Sequence, residues 1–192
     1  TALQLRILET LAGVEPEFLL FGGAALAVAD GLPRATRDLD LKWSGRDALG
    51  EIPALVESAL RAATLDVARE ASSVSFVRDR VTQGGESVEL NLVAEPTARS
   101  DVARTIDIGR ALVRVPSRAA LLVDKLCALL SRAEIRDLHD VDYLLAVGEP
   151  LEQAVARAPD QDGGFSPLTL AWVLRGLHAN RPARQPPGTS PR

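Results

Sequence analysis

The chain has 192 residues, 46% of them hydrophobic and 25% charged, with a formal net charge of −4. That length and apolar content allow one buried core, or one with a helical appendage, and exclude a disordered chain for most of the sequence. Bulk negative charge argues against non-specific nucleic-acid binding, although a local basic patch is compatible with it, and the single cysteine, Cys127, excludes an internal disulfide.

Residues 2–12 place Leu3, Ile7, Leu8 and Leu11 on one helical face. EFLLF, residues 17–21, reads as a short buried strand that stops at Gly22-Gly23, and a small-residue helix follows from near Ala24 to Gly31. The longest apolar run, Phe18 to Ala29, is too short for a bilayer and holds two glycines, so no transmembrane segment is expected. No secretory pattern opens the sequence, which makes the cytoplasm the expected location. RDLDLKW, residues 37–43, alternates charge and leucine as a half-buried strand does, and residues 52–63 form an amphipathic helix with Pro53 in its first turn. LDVAR, SVSFVRD and SVELNLV predict three strands, the last two joined through QGG as a hairpin, and RTIDI and ALVRV predict a further pair meeting at Gly109.

After Pro116 strands give way to helices. Ser117 is the expected N-cap of a helix with Leu121, Leu122, Leu126, Leu129 and Leu130 at helical spacing. Residues 136–148 predict a second helix closed by Gly148, and residues 150–158 and 167–180 a third and fourth, the fourth with Trp172 and Leu177 inward. Proline and polar residues from Arg181 onward predict a disordered tail. The expected organisation is α/β (α+β): a mixed-sheet unit over residues 1–116, a helical unit over 117–180 and a tail over 181–192.

The chemistry gathers around two short stretches. Asp38 and Asp40 stand at i and i+2 of a strand, so both carboxylates aim one way while Leu39 and Leu41 face the core. Carboxylates that close repel unless a cation lies between them, and the expected ion is Mg2+ (or Mn2+), a hard ion that takes oxygen ligands and keeps a substrate phosphate as another. Upstream, Gly22-Gly23 permits close approach of the backbone to a phosphate, and the helix behind it offers unpaired N–H groups. A nucleoside triphosphate fits this pattern, with Thr36 sharing the strand face of Asp38. Lys125 is one of only two lysines and lies in a leucine-rich helix, where it either meets the triphosphate as a point charge or reaches solvent from the helix edge. Asp137 and Asp140, three apart on a helix, either act on an attacking hydroxyl or pair with Arg136 or Arg132. His139 and His178 read as surface residues, and Arg99, Arg104, Arg110, Arg114 and Arg118 form an arginine supply able to track a phosphate backbone.

The stretch LLFGGAALAVADGLPRATRDLDL resembles the signature of the nucleotidyltransferase fold superfamily, and LLVDKLCALLSRAEIRDLHDVDYLL resembles the helical motifs of the AbiEii/AbiGii-type toxins, which include the MenT group. Together the match spans about residues 18 to 146. The resemblance implies a two-lobed protein with the nucleotide between a mixed-sheet core and a helical bundle. It implies a third metal carboxylate from a later strand, for which Glu89 is the candidate beside Asp38 and Asp40. It assigns Gly22 and Gly23 to the β- and γ-phosphates, Thr36, Lys125 and Arg136 to the nucleotide, and Asp137 with Asp140 to the acceptor hydroxyl. The implied function is that of a toxin transferring a nucleoside monophosphate from a nucleoside triphosphate to RNA, at a tRNA 3' end, restrained by a cognate antitoxin protein. Two departures stand out: the chain is short after the Arg-Asp-x-x-Asp motif, and Ala24 occupies a place where a hydroxyl residue is common. The alternatives are transfer to a small molecule or a protein, phosphate transfer at the same site, and a nucleotide-binding interaction protein without catalysis.

Overall fold

Thr1 starts the first helix. In this computed structural model, which describes residues 1–15, 17–32, 36–96 and 103–179, its hydroxyl accepts from the Gln4 N–H at 3.3 Å and opens α1 (Ala2–Ala12). Leu3, Ile7, Leu8 and Leu11 lie on its buried side. β1 (Leu19–Phe21) runs straight into α2 (Gly22–Asp30). The helix begins two residues before Ala24 because Gly22 adopts a φ of +68°, turning strand into helix without a linker.

β2 (Asp38–Ser44), α3 (Ile52–Ala62), β3 (Asp66–Ser72), β4 (Phe76–Gln83), β5 (Glu86–Glu95), β6 (Arg104–Asp107) and β7 (Leu112–Val115) complete the first part of the chain. The sheet has seven strands in the order β3-β4-β5-β2-β1-β7-β6. It is mixed: β1 is antiparallel to β2 and parallel to β7, β2 is parallel to β5, and the remaining pairs are antiparallel. Gly84 and Gly85, at φ +58° and +84°, make the two-residue turn that sets Gln83 opposite Glu86. The period of two then sorts the central strands. Leu39, Leu41, Val88, Leu90 and Leu92 are no more than 2% exposed. In register across the β2–β5 ladder, Asp38 stands beside Glu89 and Asp40 beside Asn91.

Ser117 caps α4 (Arg118–Arg132) by accepting from the Ala120 N–H at 3.2 Å. α5 (Ile135–Ala146), α6 (Leu151–Gln161) and α7 (Pro167–Ala179) all pack on α4. Leu20 and Leu41 of the sheet belong to the same continuous buried cluster as Leu122, Leu144 and Leu170 of the helices. Trp172 is a correction to the sequence reading: it is 77% exposed, while Leu170 and Val173 turn inward. At about 100° per residue, Trp172 lies on the opposite side of α7 from Leu170. Leu177 does pack against the core. Residues 181–192 and the side chain of His178 lie outside the described residues.

A buried clamp holds sheet and helices together. The Asp30 carboxylate accepts from both terminal nitrogens of Arg104 at 2.9 and 2.8 Å and from Arg118 Nε at 2.6 Å, while the Tyr143 hydroxyl donates to the Asp30 carbonyl. Burial raises the pKa of Asp30, but the two arginines outweigh it and hold the carboxyl below its ordinary value. Arg104 and Arg118 are therefore committed to Asp30 rather than to a phosphate backbone. Arg110 and Arg114 are exposed, and Arg99 lies outside the described residues.

Candidate active site

The glycine pair and the acid pair meet because β1 and β2 are neighbours, with Phe21 opposite Asp40. Asp40 lies so close to Gly22 that a Cβ at that position would sit 2.6 Å from its Oδ2. Glycine is thus required twice, by its φ of +68° and by this approach. Asp38 and Asp40 face a cleft of about 670 Å3 between the sheet and α4, within the size range of small-ligand sites. Gly22, Gly23, Thr36, Glu89, Lys125 and Arg136 line the same cleft. The sequence motifs from both halves of the chain therefore converge on one space.

The acid pair carries an unmet electrostatic demand. Burial pushes the Asp40 carboxyl above its ordinary value and the Asp38 charge adds to that, with the Asn91 hydrogen bond and the charges of Lys125 and Arg132 offsetting only part. Asn91 Nδ2 donates to Asp40 Oδ1 at 3.0 Å. Asp38 has a looser contact, 3.7 Å to Arg136. The Thr36 hydroxyl donates to the Asp38 carbonyl oxygen at 3.4 Å.

Glu89 is occupied differently. Arg78 Nε and Asn91 Nδ2 each lie 3.2 Å from its carboxylate. Among the described residues no group of three acidic, histidine or cysteine side chains stands close enough to hold a metal ion, while Glu89, expected as a third ligand, lines the same cleft beside Asp38. Two carboxylates facing one cleft, one of them held above its ordinary pKa, still match a hard divalent cation that takes its other oxygens from substrate phosphates and water.

The other side of the cleft is built by α4 and α5. Lys125 is 5% exposed, with its Nζ 3.2 Å from Asp137 Oδ1 and 2.6 Å from Asp140 Oδ2. Arg132, seven residues further along α4 and so on the same face, grips Asp137 through two hydrogen bonds of 2.7 and 2.8 Å. Asp137 and Asp140 are fully buried and do not line the cleft. Burial raises the Asp137 pKa, yet Arg132 and Lys125 overcome it and hold the carboxyl below its ordinary value. Asp137 is ion-paired in the structure, with Arg132 and Lys125 rather than Arg136. A carboxylate enclosed and ionised in this way is a poor acceptor for an acceptor hydroxyl's proton. His139 is exposed, as expected.

Asn91, Arg78 and Arg132 were not singled out as site residues from the sequence. Asn91 was reachable, since it follows Glu89 by two in VELNLV and shares its strand face.

A family model described as "Nucleotidyl transferase AbiEii toxin, Type IV TA system" matches residues 6–182. Among solved structures, the chain resembles MenT4, a nucleotidyltransferase toxin from Mycobacterium tuberculosis, with a TM-score of 0.63 and 16% identity over 82% of this chain and 61% of that longer one. An antigenic nucleotidyltransferase-like protein from Paracoccidioides brasiliensis gives a TM-score of 0.59 and 18% identity, covering 89% of this chain and 94% of that one. The antibiotic-resistance factor ANT(2'')-Ia gives 0.55 and 15% identity, covering 93% and 98%. Likeness at these identities shows the nucleotidyltransferase fold. No curated protein matches the chain.

Proposed function

Because this chain belongs to the AbiEii nucleotidyltransferase toxin family, we propose that it transfers a nucleoside monophosphate from a nucleoside triphosphate to an RNA acceptor, the 3' end of tRNA, and so blocks translation. The observation that carries this reading is the convergence of Asp38, Asp40, the Gly22-Gly23 turn and Lys125 on one cleft.

In this reading Asp38 and Asp40 would hold magnesium. When bound, that ion would neutralise phosphate charge and make the α-phosphorus a better electrophile. The start of α2 has no side-chain cap, so its first N–H groups and the positive end of its dipole are free for the β- and γ-phosphates. Thr36 lies near those phosphates. Lys125, Arg132 and Arg136 bring cations to the cleft from α4 and α5. Asp137 and Asp140 act as positioning residues that fix where Lys125 and Arg132 present their charge. The acceptor hydroxyl oxygen bonds to the α-phosphorus, the bond from that phosphorus to the bridging oxygen breaks, pyrophosphate leaves with the electron pair, and the hydroxyl proton passes to solvent. Fixed positions and charge compensation, rather than a covalent enzyme intermediate, supply the rate.

The toxin–antitoxin designation of the family supports a cognate antitoxin as partner. Among the described residues no helix is long and apolar enough to cross a membrane, and a tRNA target puts the work in the cytoplasm. A second reading, transfer to a small molecule, draws on the likeness to ANT(2'')-Ia.

A screen separates them: each of the four labelled triphosphates with magnesium, against total RNA, purified tRNA and a panel of small-molecule antibiotics. Label at tRNA 3' ends is expected. Label on a small-molecule antibiotic alone supports the second reading, and label on nothing removes both.

A further inference from the structure

A transferase needs room for two substrates, and the 670 Å3 cleft is of a size for the triphosphate. Along β2, on the face that carries Asp38 and Asp40, the next residues are Lys42 and then Ser44. Those two border a second cavity, of about 230 Å3, that also meets Arg46, Arg114 and Asp124. Lys42 and Asp124 line both spaces, so the cavities follow one another with those two side chains at the seam.

We infer that this second cavity seats the terminal nucleotide of a phosphodiester acceptor, with Arg46 and Arg114 holding its phosphates. The inference rests on the transferase reading above and adds where the acceptor lies. The cavity is too small for a whole ligand of drug size and fits the end of a longer one. Its charges differ in kind from those of the cleft. Lys42 is 8% exposed, pairs with Glu95 at 3.0 Å and lies 4.5 Å from the centre of the Phe21 ring, so it is a fixed part of the wall. Arg46 has only a 3.9 Å contact to Glu17, with both side chains exposed. Arg114, beside Leu19 in the β1–β7 pairing, is exposed and meets no acid among the described residues. Of the cations lining this cavity, these two have the least internal commitment, which suits them to phosphates. At the seam, Asp124 Oδ1 accepts from Gln161 Nε2 at 2.6 Å, which orients the carboxylate. There it receives a hydrogen bond from the acceptor's terminal hydroxyl and holds that oxygen toward the acid pair.

Arg46→Ala, Arg114→Ala and the double variant change exposed side chains of the full chain, and steady-state transfer to tRNA reads the result. The double variant is expected to raise the KM for tRNA about tenfold or more and to lower the slope of log KM against log salt by about 0.7 for each arginine, the single-strand value. The KM for the triphosphate should stay within about twofold, since neither arginine borders the cleft. Asp124→Asn should lower kcat; since Asp124 also lines the cleft, a rise in the triphosphate KM larger than the fall in kcat would overturn its role toward the acceptor hydroxyl. Parallel rises in both KM values would make the cavity part of the nucleotide site and overturn the inference. An unchanged tRNA KM and salt slope would overturn it alone, leaving transfer itself intact. Wild-type protein that labels no acceptor would remove the transferase reading first and this inference with it.

Discussion

Asp38 and Asp40 on β2 and Asp137 and Asp140 on α5 are both acid pairs on one face of an element, placed across the same cleft wall. The second pair is met from within the protein: both oxygens of Asp137 and Oδ2 of Asp140 face Lys125 or Arg132 at hydrogen-bond distance, and both acids are buried. The first pair has one amide donor and one arginine at 3.7 Å, and burial, reinforced by the Asp38 charge, keeps Asp40 above its ordinary pKa. On the proposed function, the deficit left at the first pair is the one an incoming metal–nucleotide would meet. The difference lies in how each pair is compensated, and it is read from geometry without reference to sequence motifs.

The largest effect should come from breaking the second pair. Asp137→Ala leaves buried Lys125 with Asp140 alone and the half-exposed Arg132 without its main partner, and should lower unfolding free energy by about 3 kcal/mol in urea titrations. A loss below about 1 kcal/mol would mean the cluster is looser than its geometry. Gly22→Ala acts on the first pair by crowding. Its left-handed φ adds about 1–2 kcal/mol of strain, and displacing Asp40 should slow transfer on the order of a hundredfold, read by single-turnover assays. Arg136→Ala should be the mildest, changing stability by less than about 1 kcal/mol, as exposed ion pairs do.

Acidity divides the two pairs by sign. Asp137 has a native pKa below 3.8, so its contribution is complete above that value and is lost as pH falls through the depressed one. Asp40 has a native pKa above 3.8, so folding gains from its proton at low pH and loses that gain as pH rises through the raised value. Denaturation midpoints across acid pH should therefore lose part of their acid-side fall in Asp137→Asn, and lose a decline toward neutrality in Asp40→Asn.

Much of this was legible in the sequence, for reasons particular residues show. The period-two run at Asp38–Trp43, the QGG turn, the Ser117 cap and the Gly31 stop each act through neighbours in the chain, and local signals of that kind need no tertiary context. The seven-strand order and the pairing of Glu89 with Asp38 depend on which strands meet, and only the resemblance to a known fold anticipated a neighbouring carboxylate. The fates of Arg104 and Arg118 were hidden because Asp30, their shared partner, lies 74 and 88 residues away. Trp172 was misjudged by assuming that a large aromatic faces inward, where the phase set by Leu170 and Val173 decides. Asp137 could be read from its helix face as either a catalytic or a paired acid, and its ion pairs with Lys125 and Arg132 became visible only with the packing of α5 on α4.

Thermal melting of wild type and Asp40→Asn at neutral pH, with and without magnesium and a nucleoside triphosphate, tests most directly whether the β2 acids are held short of charge for an incoming metal–nucleotide. The account predicts that Asp40→Asn melts higher than wild type without ligand and gains little when ligand is added, whereas wild type gains clearly. An Asp40→Asn protein that melts lower unliganded and gains as much as wild type would contradict it.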